Sequence, residues 1–222
     1  MPDASPAGRV IVLAGGTSAA GRAVVRALLA SGATVVIVGT DEGRLADARS
    51  TGAHAELCDL TDEAEVRALA DRVRGAHGRV DGLIHLVGGW RGGGGLAGQS
   101  DDDFRALEVG LTALRHASRA FNADLLASDA GRLAIVSSTA VARPLAGGAN
   151  YAAVKAASEA WTRAVAHGFT KASRDDGSDQ AGAAVIFRVK ALAGLEDVLA
   201  ASIVGLWALE AADLNDRTIE LA

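Results

Sequence analysis

Residues 9–21 read RVIVLAGGTSAAG, an apolar run of strand length followed directly by a glycine-rich turn. Residues 9–14 predict a buried strand, and residues 19–30 predict a helix that ends at Gly32. Glycines at such a junction let the backbone approach a pyrophosphate, and the helix N-terminus offers free N–H groups. We therefore predict nucleotide binding at this turn; alternatively, the glycines serve only the tight connection. The expected nucleotide contacts here are Gly15, Thr17, Ser18, Ala19 and Gly21.

Apolar runs of strand length alternate with segments of helical periodicity along the rest of the chain. The predicted strands are 9–14, 34–38, 53–57, 82–87, 132–137, 183–187 and 217–221, and the predicted helices are 19–30, 42–49, 62–74, 101–126, 150–171 and 195–211. Strands that are apolar on both faces imply a parallel sheet covered by helices on both sides. We predict one α/β domain over residues 1–222, a Rossmann-like doubly wound sheet of about seven strands. Residues 1–8 are expected to be a flexible N-terminus.

The composition argues against several classes of function. The chain has 222 residues, 50% of them hydrophobic, and its formal net charge of −5 includes no basic run, so nucleic acid is not an expected partner. No apolar run reaches the ~18 residues of a membrane span, and no signal peptide is predicted, so we expect a soluble cytoplasmic protein. The one cysteine, Cys58, is expected to be a buried structural thiol, and no metal site is predicted.

The residues after the second and third strands bear on which dinucleotide would bind. An acidic side chain at the end of the second strand would hold the adenosine ribose and select NAD, but Gly39 occupies that place. Thr40 could donate to a 2′-phosphate and Arg44 could reach it, which favours NADP slightly. Asp59 is placed either to contact the adenine or to cap the helix that follows Thr61.

Tyr151 and Lys155 lie four residues apart in an alanine-rich stretch that predicts a helix, so their side chains share one face. A nearby ammonium favours the phenolate form, which makes a phenol usable for proton transfer. The alternative is a surface lysine beside a half-buried tyrosine, because this spacing also arises by chance.

With this pair, the chain resembles the short-chain dehydrogenase/reductase family over nearly its whole length. The matching residues are Ala14-Gly15-x-x-x-Ala19-x-Gly21, Cys58-Asp59-Leu60, Ser138 and Tyr151-x-x-x-Lys155, with Ser138 thirteen residues before the tyrosine (151 − 138 = 13). The resemblance implies hydride transfer between NAD(P) and a small carbonyl or alcohol. It implies that Tyr151 is the acid/base and that Ser138 orients the substrate oxygen. It also implies that Lys155 lowers the pKa of the tyrosine and binds the nicotinamide ribose. Further cofactor contacts are implied at Asp59, Leu60 and Gly88.

Three features depart from the family pattern. His85-Leu86-Val87-Gly88 stands where the family has Asn-Asn-Ala-Gly, and His85 is expected to be buried and hydrogen-bonded rather than a general base. The family's helix asparagine, which helps to hold a water for proton relay, is absent near Gly110. After the sixth strand the chain leads straight into a helix, without the Pro-Gly turn and the segment that covers the substrate. This predicts an open site.

The loop 88–95, GGWRGGGG, follows the fourth strand at the end of the sheet where the cofactor would bind. Trp90 and Arg91 could close over a pocket, stack on a planar ligand or pair with an anion, and Arg143 would form another wall. The Gly-Gly-Trp-x-Gly-Gly pattern is also similar to that of quinonoid dihydropteridine reductase, so pterin reduction is a minority alternative. A mobile loop with Trp90 packed on the adjacent helix is another.

The leading hypothesis is an NAD(P)-dependent oxidoreductase. Its rival is a catalytically weak nucleotide-binding sensor or subunit that kept the fold and lost the lid. The retained Ser138, Tyr151 and Lys155 favour chemistry, whereas the missing asparagine and lid favour the rival. The long helices 101–126 and 150–171 resemble those with which the family forms dimers, so a homodimer or homotetramer is expected.

Overall fold

A computed structural model describes residues 5–222. Its strands are β1 (Val10–Ala14), β2 (Thr34–Gly39), β3 (His54–Leu57), β4 (Gly82–His85), β5 (Arg132–Ser138), β6 (Ala183–Val189) and β7 (Arg217–Glu220). Its α-helices are α1 (Ala19–Ala30), α2 (Glu42–Arg49), α3 (Glu63–His77), α4 (Asp101–Ala120), α5 (Asn122–Ala127), α6 (Ala149–Asp176), α7 (Glu196–Val204) and α8 (Ala211–Leu214).

The strands form one parallel sheet in the order β3-β2-β1-β4-β5-β6-β7. The direction of winding reverses between β1 and β4, where Ala14 pairs with His85. In open α/β sheets, ligands bind at the carboxyl ends of the strands beside such a reversal. The predicted Rossmann-like doubly wound sheet of seven strands is confirmed.

The sheet is buried on both faces. Successive side chains of β1 point in opposite directions, so Ile11 and Leu13 pack in the core that α1 and α7 cover. Val10 and Val12 pack on the other face, in the core that α3, α4 and α6 cover. Both faces of the strand are therefore apolar, which is the pattern from which the parallel sheet was predicted.

Two predicted helices are interrupted. The predicted helix 101–126 divides at Phe121 into α4 and α5. The predicted helix 195–211 consists of α7, a 3₁₀ turn (Gly205–Ala208) and α8. The buried Arg132 guanidinium accounts for the second break, because it donates to the carbonyls of Leu206 at 2.9 Å and Leu209 at 3.1 Å. These bonds satisfy carbonyl groups that a continuous helix would have used itself.

The predicted flexible N-terminus falls partly on residues 1–4, which lie outside the described residues. In the described part of that segment, the Gly8 N–H donates to the Gly32 carbonyl at 2.9 Å, which joins the chain before β1 to the end of α1. Across residues 5–222, no helix combines the length and the apolar composition that a bilayer crossing requires.

Candidate active site

A cavity of about 910 Å³ opens at the carboxyl ends of β4, β5 and β6 and at the start of α6. Ser138, Tyr151 and Lys155 all line it, so the structure brings the three predicted catalytic residues together. Trp90 and Arg143 line it as well. Arg91 was predicted to line the pocket with them, but it is not among the lining residues of this cavity.

Ser137 and Ser138 end β5 with their hydroxyl groups in different environments, as the alternation of a strand requires. The Ser137 hydroxyl donates to Glu159 Oε1 at 2.7 Å. The Ser138 hydroxyl accepts a hydrogen bond from the Ala140 N–H at 3.1 Å, which holds it at the start of a 3₁₀ turn beside the cavity. Ser138 is therefore the serine of the pair that remains available to a ligand oxygen.

Tyr151 and Lys155 lie one helical turn apart near the start of α6, as predicted. Lys155 Nζ lies 5.9 Å from the centroid of the Tyr151 ring and donates to the Val136 carbonyl of β5 at 2.8 Å. Burial lowers the pKa of Lys155 to about 8, and the Glu159 carboxylate opposes that shift. The amine is thus mostly an ammonium at neutral pH, next to the phenol.

Glu159, one further turn along α6, is a site residue that was not predicted from the sequence. It is buried, and it accepts hydrogen bonds from Arg188 Nε at 2.8 Å and Arg188 Nη2 at 2.6 Å in addition to the bond from Ser137. Burial alone would raise the pKa of Glu159, but the bonds from Arg188 and Ser137 outweigh it and hold that pKa below its ordinary value. Positions 151, 155 and 159 are spaced by four residues, so the sequence already indicated that Glu159 shares a helix face with Tyr151 and Lys155.

The turn between β1 and α1 is closed by hydrogen bonds of the Ser18 side chain. Ser18 caps α1: its hydroxyl accepts from the Gly21 N–H and donates to the Gly15 carbonyl, both at 3.0 Å. A Cβ on Gly21 would overlap the Gly15 carbonyl oxygen and lie 2.6 Å from Gly16 Cα. Ala19 is exposed at the first position of the helix. The structure therefore requires glycine at 21 and tolerates a methyl group at 19.

Gly21→Ala is expected to destabilise the protein by ~1–3 kcal/mol and to weaken NADPH binding, because the added methyl group forces the backbone of the turn apart. Urea unfolding and a fluorescence titration with NADPH measure the two effects.

Gly75→Ala is the matched control, since Gly75 also lies in a helix but a Cβ there would meet nothing within 4 Å. It should be neutral or stabilise by roughly 0.5–1 kcal/mol. Wild-type stability and NADPH affinity in Gly21→Ala would show that the turn accommodates a side chain.

The residues predicted to hold the adenosine end lie on loops after β2 and β3. Thr40 is exposed at the end of β2. The Asp59 carboxylate accepts from both the N–H and the hydroxyl of Thr61 at 2.8 Å, and these bonds hold the pKa of Asp59 below its ordinary value. Asp62, not Asp59, caps α3, so the alternative helix-capping role for Asp59 is wrong. Leu60 beside it is buried.

A second groove, of about 490 Å³, lies between α1 and α2 next to the glycine-rich turn. Its lining includes three guanidinium groups, those of Arg22, Arg26 and Arg44, and one carboxylate, that of Asp47. Arg22 donates to the Thr17 carbonyl at 2.6 Å, which places its positive charge beside the turn. Arg22 and Arg26 were not predicted; their i,i+4 spacing on the first helix was the available signal.

The glycine-rich loop after β4 is attached to the N-terminus of α6. Its Gly93 N–H donates to the Gly147 carbonyl at 2.7 Å. The Gln99 amide donates to the carbonyls of Gly93 at 3.0 Å and Gly147 at 3.1 Å, and its oxygen accepts from the Asn150 N–H at 3.1 Å. Gln99, which was not predicted, thus joins the loop to the turn that precedes Tyr151.

The side chains on this loop differ in where they lie. Trp90 is 68% exposed and faces the cavity at its rim. Arg91 Nη1 lies 3.7 Å from Asp103 Oδ1 at the first turn of α4. Gly88 comes close to Lys155, since a Cβ on it would lie 3.2 Å from Nζ.

The connection after β6 is short. β6 ends at Val189 and α7 begins at Glu196, so residues 190–195 are all that joins them. Lys190 and Leu192 of this connection line the mouth of the cavity, and Lys190 is exposed. No covering segment is inserted here.

His85 is buried at the end of β4, and its Nε2 lies 3.0 Å from the Gly110 carbonyl of α4. Burial, followed by repulsion from Lys155, lowers the pKa of His85 to about 3. The imidazole is therefore neutral at physiological pH, which fits the predicted structural role. Cys58 is also buried, as predicted, and burial raises the pKa of its thiol to about 11.

The chain is similar to known proteins in sequence. The sequence model described as short chain dehydrogenase matches residues 9–173. A 3-oxoacyl-(acyl-carrier-protein) reductase from Salmonella typhimurium is 26% identical over 152 residues, covering 67% of this chain and 62% of the relative. An L-fucose dehydrogenase from Bos taurus is 38% identical over 84 residues, covering 37% of this chain and 31% of the relative. The chain therefore spans about three-fifths of the length of the reductase, and less of the dehydrogenase.

Solved structures share the fold over nearly the whole chain. A short chain dehydrogenase from Pseudomonas syringae superposes with a TM-score of 0.85 at 24% identity, covering 99% of this chain and 97% of the other. A short chain dehydrogenase from Burkholderia cenocepacia, solved in complex with NADP, has a TM-score of 0.80 at 24% identity, with 98% and 97% covered. At these identities the likeness shows the fold.

Proposed function

Because this chain belongs to the short chain dehydrogenase family, an oxidoreductase family, we propose that it transfers hydride between NADP and a small carbonyl or alcohol. The observation that carries the proposal is that Ser138, Tyr151 and Lys155 line one cavity at the carboxyl ends of the strands. The glycine-rich turn with its Ser18 cap lies at the same edge of the sheet.

The residues around the cavity fit a dinucleotide. The absence of a side chain at Gly21 lets the turn close tightly, because a Cβ there would overlap the backbone of Gly15 and Gly16. A helix N-terminus such as that of α1 offers N–H groups that suit a pyrophosphate. Gly88 leaves the approach to Lys155 unobstructed by a side chain. When bound, the nicotinamide supplies or accepts the hydride.

In the proposed reaction, Tyr151 donates its phenolic proton to the carbonyl oxygen during reduction and takes the hydroxyl proton during oxidation. Ser138 donates a hydrogen bond to the same oxygen and orients it. The Lys155 ammonium, 5.9 Å from the centroid of the phenol ring, binds the ribose of the nicotinamide beside the phenol that exchanges the proton. Trp90 and Leu192 supply apolar walls, and Arg143 is placed to meet an anionic group on the substrate.

NADP is the proposed cofactor because the groove beside the turn has three guanidinium groups and one carboxylate. The strand-end carboxylate that would select NAD is replaced by Gly39. Solved relatives with the same fold bind NADP, among them the Burkholderia cenocepacia protein and a metagenomic short-chain oxidoreductase.

Arg44→Ala is expected to lower the affinity for NADPH about tenfold and to leave the affinity for NADH within about twofold, since only NADPH presents a 2′-phosphate to a guanidinium group. Fluorescence titrations of both cofactors measure the ratio. Arg105→Ala removes an exposed arginine of α4 that pairs with Asp102, and it serves as the matched control. Equal losses for the two cofactors, or none, would contradict the assignment of this groove to the 2′-phosphate.

The activity is tested by following NADPH oxidation with a panel of carbonyl compounds. The panel should include small ketones and aldehydes, a 3-oxoacyl thioester because of the similar reductase, and a quinonoid dihydropterin. Turnover with a member of the panel supports the proposal, and the preferred member identifies the substrate class. Tight NADPH binding with no turnover on any member would favour the rival function, a nucleotide-binding sensor.

A further inference from the structure

A small space lies between α4, α6 and the end of β4, and it shares Tyr151 and Lys155 with the lining of the open cavity. Its lining includes His85 at the end of β4, Gly110 on α4, and Tyr151, Lys155 and Ser158 on α6. Its volume is about 20 Å³. That is enough for one water molecule, which needs roughly 10–15 Å³ by the same measure together with two to four polar partners.

His85 presents an unsatisfied acceptor to this region. His85 is 4% exposed, and its Nδ1 has no hydrogen-bond partner among residues 5–222. The Gly110 carbonyl can only accept, so Nε2 carries the proton and Nδ1 carries a lone pair. A buried acceptor without a partner costs about 1–3 kcal/mol, which is the usual reason for a buried water.

Lys155 supplies the complementary donor. Its ammonium has three N–H groups, and the Val136 carbonyl accepts one of them. Ser158 uses its proton on the Val154 carbonyl, so its oxygen can still accept. A water in the space can therefore accept from Lys155 and donate to His85 Nδ1, which satisfies both groups.

We propose that this space holds one buried water that joins Lys155 to His85, and that His85 is thereby the positioning residue for Lys155. Gly110 brings no side chain to this region, and a Cβ there would lie 3.1 Å from the Val87 carbonyl oxygen, a tight contact that the backbone at Val87 would have to relieve. His85 reaches the same region from β4 instead. The water bridge is inferred from the contacts of His85 and Lys155 around this space. Its effect on catalysis rests on the proposed function.

The bridge stabilises the charged form of Lys155. The titratable groups that face this ammonium are Tyr151 and Glu159 on its own helix and His85 on β4, while Arg188 on β6 is engaged by Glu159. Neutral His85 adds an acceptor without adding a second positive charge. Loss of the bridged water removes solvation from the ammonium and favours the free amine.

The test is the titration of Lys155 in the protein without cofactor, followed by NMR of lysine labelled with ¹³C at Cε. The chain has lysine only at 155, 171 and 190, so Lys171→Arg and Lys190→Arg assign the three signals. In His85→Leu, the midpoint of the Lys155 titration is expected to fall by about one pH unit. His85→Asn should restore it to within about 0.3 units, because Asn Oδ1 lies where Nδ1 was.

His116→Leu is the matched control, since it removes a half-buried histidine of α4 whose Nδ1 lies 3.2 Å from the Leu60 carbonyl. It should leave the Lys155 titration unchanged. An unchanged midpoint in a folded His85→Leu variant, or equal shifts in His85→Leu and His85→Asn, would overturn the bridge.

A measurement on the wild-type protein keeps the proposal testable if His85→Leu does not fold. Long-range ¹H–¹⁵N spectra of the imidazole should show a protonated Nε2 and an unprotonated, hydrogen-bonded Nδ1, with a cross-peak from the ring to a long-lived water. A proton on Nδ1, or no such water, would overturn it.

The catalytic consequence has its own readout. The pKa of Lys155 is about 8, so at pH 8 a fall of one unit takes its protonated fraction from about a half to about a tenth. With an active substrate, His85→Leu should therefore lower kcat about fivefold at pH 8. A shifted Lys155 titration with unchanged kcat at pH 8 would refute the catalytic role. If no substrate turns over, the proposed function fails, and the NMR titration still decides the water bridge.

Discussion

Replacement of Tyr151 by phenylalanine is expected to lower kcat/KM by a factor on the order of 10²–10⁴ while NADPH binding stays within about twofold of the wild type. The variant keeps the ring and its half-buried position on α6 and removes only the hydroxyl group that transfers the proton. Tyr151 is the one tyrosine of the chain, so no other phenol can replace it. Steady-state NADPH oxidation and cofactor fluorescence measure the two quantities.

Trp161→Phe is the control for this prediction. It also removes a hydrogen-bonding group from an aromatic ring of α6, but the indole N–H donates to Ser118 Oγ at 2.8 Å, away from the cavity. Its turnover should remain within about threefold of the wild type, since no reacting atom is touched. Turnover of Tyr151→Phe at the wild-type rate would remove the proton-transfer role from the proposal.

Arg188→Met is expected to lower the free energy of unfolding by about 3 kcal/mol at pH 7, because it leaves the buried Glu159 carboxylate without its bidentate partner. The value lies at the low end for a buried pair, since Ser137 and Arg163 still approach the carboxylate. Urea unfolding followed by circular dichroism measures it.

The effect of Arg188→Met should depend on pH with a defined sign. The pKa of Glu159 is lowered in the folded protein, so its contribution to stability is present above the ordinary glutamate pKa of ~4.3 and is lost as the pH falls through the lower folded value. The difference between Arg188→Met and the wild type should therefore shrink on acidification below about pH 4.

Two further variants show whether the buried charge is the cause. Arg163 touches Glu159 only at 3.9 Å and is 43% exposed, so Arg163→Met should cost less than about 1 kcal/mol. The double variant with methionine at both 159 and 188 should recover part of the loss, since no unpaired carboxylate remains. A loss in Arg188→Met that persists unchanged in the double variant would point to packing instead of charge.

The fold was largely predictable because its signals are local. Apolar runs of strand length, helical periodicity and a glycine-rich turn are each contained in a short stretch, and all seven strands were located. One wrong prediction, the continuous helix 195–211, arises because a residue distant in sequence contacts it. Arg132 on β5 donates hydrogen bonds to the carbonyls of Leu206 and Leu209. These bonds interrupt the helix 195–211, which the periodicity of the sequence predicted to be continuous.

In the candidate site, too, local spacing was predictable and contacts between distant elements were not. The spacing of Tyr151 and Lys155 on one helix is a property of helical geometry, so the sequence was enough to align them. Arg91 follows Trp90 directly in the chain, yet only Trp90 lines the cavity, because Arg91 lies close to Asp103 on α4. Neighbours in sequence thus differ in what they can contact.

The sequence alone determined the α/β class, the glycine-rich turn between the first strand and the first helix, and the shared helix face of Tyr151 and Lys155. Strand and helix periods determine which side chains share a face, so these features are local. Only the tertiary structure joined Glu159 to Arg188, Gln99 to Gly147, and His85 to the space behind Lys155. Those contacts cross between elements far apart in the chain. They depend on the order of strands in the sheet and on how closely α4 and α6 pack, which no local pattern encodes.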